Sequence, residues 1–398
     1  LSDLLSEEEF CSSSFIVVVD VERETVRLWN ALKITLWYKI YYFVSLNIYS
    51  IFWWNMKKLT ATISAFCISL GLQGQTLSVN ETTSDTLLND NIKLTFLGTG
   101  APRPSLTRYG PSILVEAGGQ KLLVDAGPGM RERLFEAGGF ELLTDINLII
   151  LTHLHFDHTI SVPGLWLSGW LFGRKSPMTI YGPVGTESMM GHFESAYAWD
   201  IRYREIVGVH ERGSELNAFD IEPGVFYEQD GLKITAISVE HMPVIKGYSL
   251  SPVLEGSTLG FRIDYNDRSV IFSGDTRTTS SSNLIEHSMG VDVLIHEVQV
   301  PAPGNSPEAQ LANVSLSVHS TPEQVAALFR NTRPRLGVYS HIIPPELTSE
   351  QITEATDYDG PMLVAEDLMT LTIGDEITVG IAGDSGTNIF TEADVVDQ

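Results

Sequence analysis

The chain has 398 residues, 43% of them apolar and 9% aromatic, enough to bury the core of one large domain or of two intimate halves. Its 50 acidic side chains against 25 basic ones give a formal charge of −25. That field repels polyanions at long range, and no basic run interrupts it, so nucleic acid is excluded as the expected partner. Both cysteines, Cys11 and Cys67, lie near the start of the chain, and neither reads as structural.

In chain order, the first feature is an aromatic apolar stretch from Ile34 to Trp54, interrupted by Lys39 and long enough taken alone to span a membrane. A complete secretory signal follows it. Met56-Lys57-Lys58 is the charged start, Leu59 to Leu70 the short apolar centre, and Gly71 to Gln75 the small-residue end. Residues 1–55 are therefore expected to be an upstream extension absent from the mature protein, 56–75 a signal peptide, and 76–398 the working domain. That domain is expected to be periplasmic or secreted, with no stable membrane association after signal removal. The first 75 residues contribute few of the acidic side chains, so the negative charge belongs to the domain.

From about Leu88 the pattern is mixed α/β. Ile92 to Leu97 alternates and stops at Gly98-Thr99-Gly100. Ser112 to Glu116 and Gln120 to Val124 flank Ala117-Gly118-Gly119 as a hairpin. Met130 to Ala137 reads as a short helix, and Ile146 to Leu151 as a buried strand. Strand-like runs return at Leu232 to Val239, Leu259 to Tyr265, Ser269 to Phe272, Val291 to Ile295 and Leu336 to Tyr339. Two sheet-forming halves around one core fit this order. His153, Asp275, His296 and His341 each follow an apolar run or fall close to its end, where side chains of α/β architectures converge on ligands.

The strongest signal is His153-Leu154-His155-Phe156-Asp157-His158. Alternate residues of an extended segment point the same way, so His153 and His155 can share one ion, and the turn that follows can carry Asp157 and His158 to a second. Imidazole and carboxylate without thiolate suit Zn2+, with Mn2+ or Fe2+ chemically admissible. Two ions need further ligands. His241 follows a strand, Asp275 in Ser273-Gly274-Asp275 follows another and has a carboxylate able to bridge two cations, and His341 closes a third. Asp125 suits the role of an acceptor that orients an imidazole.

The order of these segments resembles the metallo-β-lactamase superfamily over roughly Ile92 to Gly380. The resemblance implies a four-layer αββα sandwich of two mixed β-sheets flanked by helices. It also implies two Zn2+ ions: one held by His153, His155 and His241, the other by Asp157, His158 and His341, with Asp275 bridging. Leu294-Ile295-His296-Glu297-Val298 and Val318-His319-Ser320-Thr321-Pro322 are similar to a paired motif of the branch that contains the tRNA 3′-processing endonucleases (ribonuclease Z) and the zinc arylsulfatases. Thr321 and Gln324 can form a capping box on a helix from Pro322 to Arg330, which fixes His319 just ahead of it. Glu297 could then keep His319 protonated as a general acid, or the two could form a buried structural pair.

Between these branches the sequence favours the arylsulfatases. His241 to Asp275 leaves little room for a long RNA-gripping arm, and Gly256 to Thr276 resembles the arylsulfatase type. Trp166 and Trp170 could face an aromatic leaving group, although their spacing also suits helix core. The expected protein is thus an exported hydrolase that cleaves aryl sulfate esters with a metal-bound hydroxide, with Asp157, His319 and Glu297 as catalytic side chains. Its expected partners are a small aryl ester and no nucleic acid, with homodimerisation possible. The alternatives are a phosphodiesterase of ribonuclease Z type, or a lactonase of the same fold. The segment Ile245 to Gly256 reads as an insertion beside the site.

Overall fold

Residues 90–241 and 258–382 are described by a computed structural model. The expected extension, the signal peptide and the insertion Ile245 to Gly256 lie outside the described residues. The chain opens with β1 (Ile92–Gly98), β2 (Ser112–Ala117) and β3 (Gln120–Val124), an antiparallel meander. The β2–β3 turn needs two successive left-handed residues, and Gly118 and Gly119 supply them at φ 60° and 75°. Next come α1 (Met130–Asp145), β4 (Leu148–Ile150), α2 (Phe156–Thr159), α3 (Val162–Phe172), β5 (Met178–Gly182), α4 (Thr186–Ile206) and β6 (Leu216–Asp220). Strands β3 to β6 run parallel, as helical crossovers require.

The second half begins with antiparallel β7 (Gly224–Gln229), β8 (Leu232–Ser238), β9 (Leu259–Tyr265) and β10 (Arg268–Phe272). It continues through α5 (Leu284–Ser288), β11 (Val293–Gln299), α6 (Pro307–Ala312), α7 (Pro322–Thr332), β12 (Leu336–Ile343), α8 (Ser349–Glu354) and β13 (Met362–Val364), with β10 to β13 parallel. Finally β14 (Met369–Ile373) and β15 (Ile377–Ile381) return to the first half, β14 pairing with β1. The sheet orders are β15-β14-β1-β2-β3-β4-β5-β6 and β13-β12-β11-β10-β9-β8-β7.

Side-chain alternation makes four layers of these two mixed sheets. Leu122 and Val124 join Phe261, Val270 and Ile295 in the core between the sheets. Leu123, between them in sequence, points the other way and packs with Met130 and Leu134 of α1 and with Leu165 and Trp166 of α3. On the far side, Leu294 and Tyr339 pack with Val325, Leu328 and Phe329 of α7. The architecture is the αββα sandwich that the sequence implies.

Local differences have identifiable causes. The regular start of α1 breaks at Gly138 and Gly139, which are not helical (φ −158° and 66°), and the element then continues to Asp145. Helix α4 had no sequence forecast; of its 21 residues only Thr186 and Met190 are buried, so no apolar stripe marks it. Trp166 and Trp170 are fully buried, with indole N–H groups donating to the carbonyls of Ser214 and His210. They belong to the helix core and face no leaving group. Among the described residues no helix is long and apolar enough to cross a membrane.

Phe261 is wholly buried between the sheets. Phe261→Ala is expected to cost about 3–5 kcal/mol in urea unfolding, whereas Phe219→Ala, at a ring 44% exposed, should cost far less.

Candidate metal centre

Seven predicted ligands meet where strand ends of the two sheets face each other. His153 follows β4, and His155, Asp157 and His158 surround the single turn of α2. His241 follows β8, and Asp275 lies three residues beyond β10. His341 lies within β12, where the pairing with β11 slips: His296 opposes Tyr339 and Val298 opposes Ile342, leaving Ser340 and His341 both opposite Glu297. This bulge, with His341 at φ 47°, turns the imidazole out of the pleat and into the cluster.

His153, His155, His241 and Asp275 form one group whose ligand atoms lie within 4.8 Å of one another, and Asp157, His158 and His341 form a second. A third group brings Asp275, His319 and His341 together. Asp275 joins the first two. Its Oδ2 is 3.8 Å from His153 Nε2, 3.7 Å from His241 Nε2, and 3.4 Å from both His158 Nε2 and His341 Nε2. His155 Nδ1 lies 2.8 Å from His153 Nε2 and 3.3 Å from His241 Nε2. Nitrogens bound tetrahedrally to one small divalent cation at about 2.0–2.1 Å are separated by roughly 3.3–3.4 Å; the His155–His241 pair has this spacing and the His153–His155 pair is closer.

The atoms that face the centre also lack other occupation. Asp157 Oδ2, His158 Nε2 and both ring nitrogens of His341 are buried without a hydrogen-bond partner. Buried polar atoms in native proteins are nearly always satisfied, and divalent cations would satisfy Asp157 Oδ2, His158 Nε2 and His341 Nε2, the atoms of this set that face one another. The cluster is able to bind metal ions.

Outer hydrogen bonds hold the ring orientations. His153 Nδ1 is 3.0 Å from Thr152 Oγ1, His158 Nδ1 is 2.8 Å from Asp125 Oδ2, and His241 Nδ1 is 2.9 Å from the Val318 carbonyl. Asp125, in a left-handed turn at φ 61°, also accepts from the Thr152 amide and hydroxyl, each at 2.8 Å. It orients an imidazole, as its sequence position implied. Thr152 and the Val318 carbonyl were missed; the only hint was their placement directly ahead of His153 and His319.

Burial and neighbouring charges shift the groups of the cluster in opposite directions. Burial, followed by the neighbouring His158, holds His153 well below the ordinary imidazole range, so its lone pair is free. Burial works against charge at His158 too, but Asp275 and Asp125 outweigh it and push that imidazole well above its usual value. Burial alone would raise the Asp275 carboxyl; His341 and His158 instead hold it well below the carboxylate range.

His319 and Glu297 stand beside the cluster. His319 precedes α7, whose capping box forms as expected: Thr321 accepts from the Gln324 amide, and Gln324 accepts from the Thr321 amide. His319 Nδ1 is 3.1 Å from Glu297 Oε1, and its ring centroid is 4.8 Å from that of His241. Glu297 Oε1 also accepts from the Ser320 amide at 3.0 Å. His296 turns to the opposite side of β11, bonds Thr278 and the Glu297 carbonyl, and takes no part in the cluster.

Residues 120–342, which contain every one of these ligands, match the beta-lactamase superfamily domain. The chain belongs to the metallo-β-lactamase superfamily. Within it, the chain is 30% identical over 288 residues to ribonuclease Z of Mycobacterium avium (strain 104), covering 70% of this chain and 96% of that relative. It is 28% identical over 302 residues to ribonuclease Z of Mycobacterium sp. (strain KMS), covering 73% of this chain and all of that one. Among solved structures, the metallo-beta-lactamase fold protein YhfI of Bacillus subtilis matches 71% of this chain and all of its own length, with a TM-score of 0.52 at 17% identity. The short form of human tRNase Z matches 71% of this chain and 99% of its own, with a TM-score of 0.50 at 22% identity.

The ribonuclease Z relatives overturn two expectations. Aryl sulfate esters are not the supported substrate class, and nucleic acid is not to be excluded as a partner. The exclusion rested on summed charge and on a short His241–Asp275 interval. Exposed charges are screened beyond about 8 Å at physiological ionic strength, so a net charge does not describe a local site, and relatives covered over 96–100% of their length carry the ribonuclease Z name.

Gly274 sits at φ 59°, and a Cβ there would meet the Leu259 carbonyl oxygen at 2.5 Å. Gly274→Ala should therefore displace Asp275 and lower the bound metal per chain, measured by elemental analysis, while circular dichroism stays native. Unchanged stoichiometry would contradict the bridging position of Asp275.

Proposed function

We propose that the protein is a metal-dependent phosphodiester hydrolase of ribonuclease Z type that acts on RNA, with two Zn2+ ions held by the ligand sets above. The observation that carries this reading is the His319–Glu297 pair beside the cluster. Burial works to lower the His319 pKa, but the charge and hydrogen bond of Glu297, then the charge of Asp275, outweigh it and raise the imidazole to about 9. His319 is thus protonated at neutral pH. Glu297 engages Nδ1, leaving Nε2 for the substrate, and His319 has a ring nitrogen within 4.8 Å of Asp275 and His341 ligand atoms.

A protonated imidazole at this place matches the needs of a phosphodiester. A departing ribose alkoxide is a poor leaving group and gains from a proton delivered in the transition state, typically 10²–10⁴-fold. Opening of a lactone or β-lactam keeps the leaving group tethered and does not call for an acid built in this way. Two divalent cations would supply a water of lowered pKa and neutralise charge on the phosphoryl oxygens. Asp157 would help to hold the second ion, with Oδ2 3.5 Å from His341 Nε2 and 3.6 Å from His158 Nε2. Asp275 would be shared by both ligand sets, and Glu297 holds the His319 ring through Nδ1.

Two experiments test the reading. Asp157→Ala should abolish cleavage of a 3′-extended transfer RNA precursor, and chelation should abolish it in the native chain; a fully active Asp157→Ala protein would refute the ligand assignment. His319→Ala should lower kcat about 10²–10⁴-fold on that RNA and much less on an ester with a nitrophenoxide leaving group. The acid works only while protonated, so native activity should decline as pH rises through about 9. That alkaline limb should vanish in His319→Ala. An equal loss on both substrates would show that His319 is structural.

A further inference from the structure

Phe156 lies between two ligands of the cluster and yet is exposed. Its neighbours Asp157, His158 and Thr159 are 1–3% accessible, whereas the Phe156 side chain is 57% accessible and Ile160, one helical turn on, is 54%. Residues i and i+4 share a face, so the two form one apolar wall. His155, the exposed member of the first ligand set, adjoins it and marks the open side of the centre. The other exposed rings are largely partnered: Phe135 and Phe172 pack on Phe140, and Trp199 stacks on Tyr203. Phe156 makes no such ring contact among the described residues. With Trp166 and Trp170 buried, Phe156 is the aromatic side chain that the sequence itself attaches to the metal loop. It stands between His155 and Asp157 in the chain, so its exposed side chain belongs to the loop that carries the ligands.

We propose that Phe156, backed by Ile160, is a stacking platform for the nucleobase next to the scissile phosphate. The proposal rests on the phosphodiester reading above and specifies its substrate: an RNA whose base at the cleavage point is unstacked from its neighbour. Base–aromatic stacking acts at contact and does not depend on the net charge of the chain.

The test compares kcat/KM on three precursor transfer RNAs: one intact, one abasic immediately 5′ of the cleaved bond, and one abasic immediately 3′ of it. Phe156→Ala should lose about ten-fold or more on intact RNA, and Phe156→Trp should retain activity. On one abasic substrate the native protein should already show that loss, with Phe156→Ala adding none. The same penalty on all three substrates, or none on intact RNA, overturns the proposal. Metal content is measured alongside. If Phe156→Ala loses metal, Phe156→Leu decides, since it keeps apolar bulk without a π-face; a Leu variant as active as the native chain overturns stacking. Failure of the native protein to cleave any RNA would instead sink the phosphodiester reading itself.

Discussion

Four imidazoles converge on one buried carboxylate oxygen, Asp275 Oδ2, at 3.4–3.8 Å, and the rest of the structure serves that crowding. Nitrogen lone pairs this close repel one another unless protons or cations lie between them, and burial removes the water that would otherwise screen them. Such a group persists only on a scaffold that resists its dispersal. The scaffold is the apolar layer between the sheets, where Phe261, Ile295 and Val338 are 0–3% accessible and packed with little room to relax. His153, His241, Asp275 and His341 hang from the end of, or a break in, a strand that this layer fixes, and the single turn of α2 that follows β4 carries Asp157 and His158. The first sheet supplies His153 through β4, and the second supplies His241, Asp275 and His341 through β8, β10 and β12.

Holding the backbone is not enough, because an imidazole still rotates about two bonds. His153, His158, His241 and His319 each use their far nitrogen on an outer partner: Thr152, Asp125, the Val318 carbonyl and Glu297. His341 lacks such a partner, and its direction is set by the strand bulge and its left-handed backbone. Asp125, Gly274 and His341 all have φ between 47° and 61°. At Asp125 and His341 this backbone is unfavourable for a residue with a Cβ, whereas Gly274 adopts it freely.

The legible parts of the sequence were those that local rules govern. Strand alternation placed β1, β3, β9 and β10 within a few residues, and the capping box at Thr321 located His319 before any contact with Glu297, 22 positions away, was known. Histidines at strand ends marked the ligands because strand ends are where side chains from distant segments meet. What failed was governed by the tertiary context. Trp166 and Trp170 are not among the failures: their helical spacing favoured helix core over a substrate contact, and both are buried. The 21-residue α4 had no stripe to betray it, since it lies on the surface with almost nothing buried. Thr152 was passed over because a threonine is unremarkable until its hydroxyl is seen between Asp125 and His153.

The substrate class was misjudged for a related reason. Two adjacent cations stabilise charge on sulfur and on phosphorus alike, so the cluster alone does not choose between them, and the choice fell to the short His241–Asp275 interval, the resemblance over Gly256 to Thr276 and the summed charge. Recognition at such a centre is settled over a few ångströms, inside the screening length. On the proposed reading, the features that act there are the His319–Glu297 pair, whose proton a phenoxide needs little and a ribose alkoxide needs greatly, and the exposed Phe156 and Ile160. Neither carries net negative charge. An acidic protein can therefore present a local surface suited to RNA, its remaining carboxylates limiting the encounter rate and non-specific adhesion more than the chemistry.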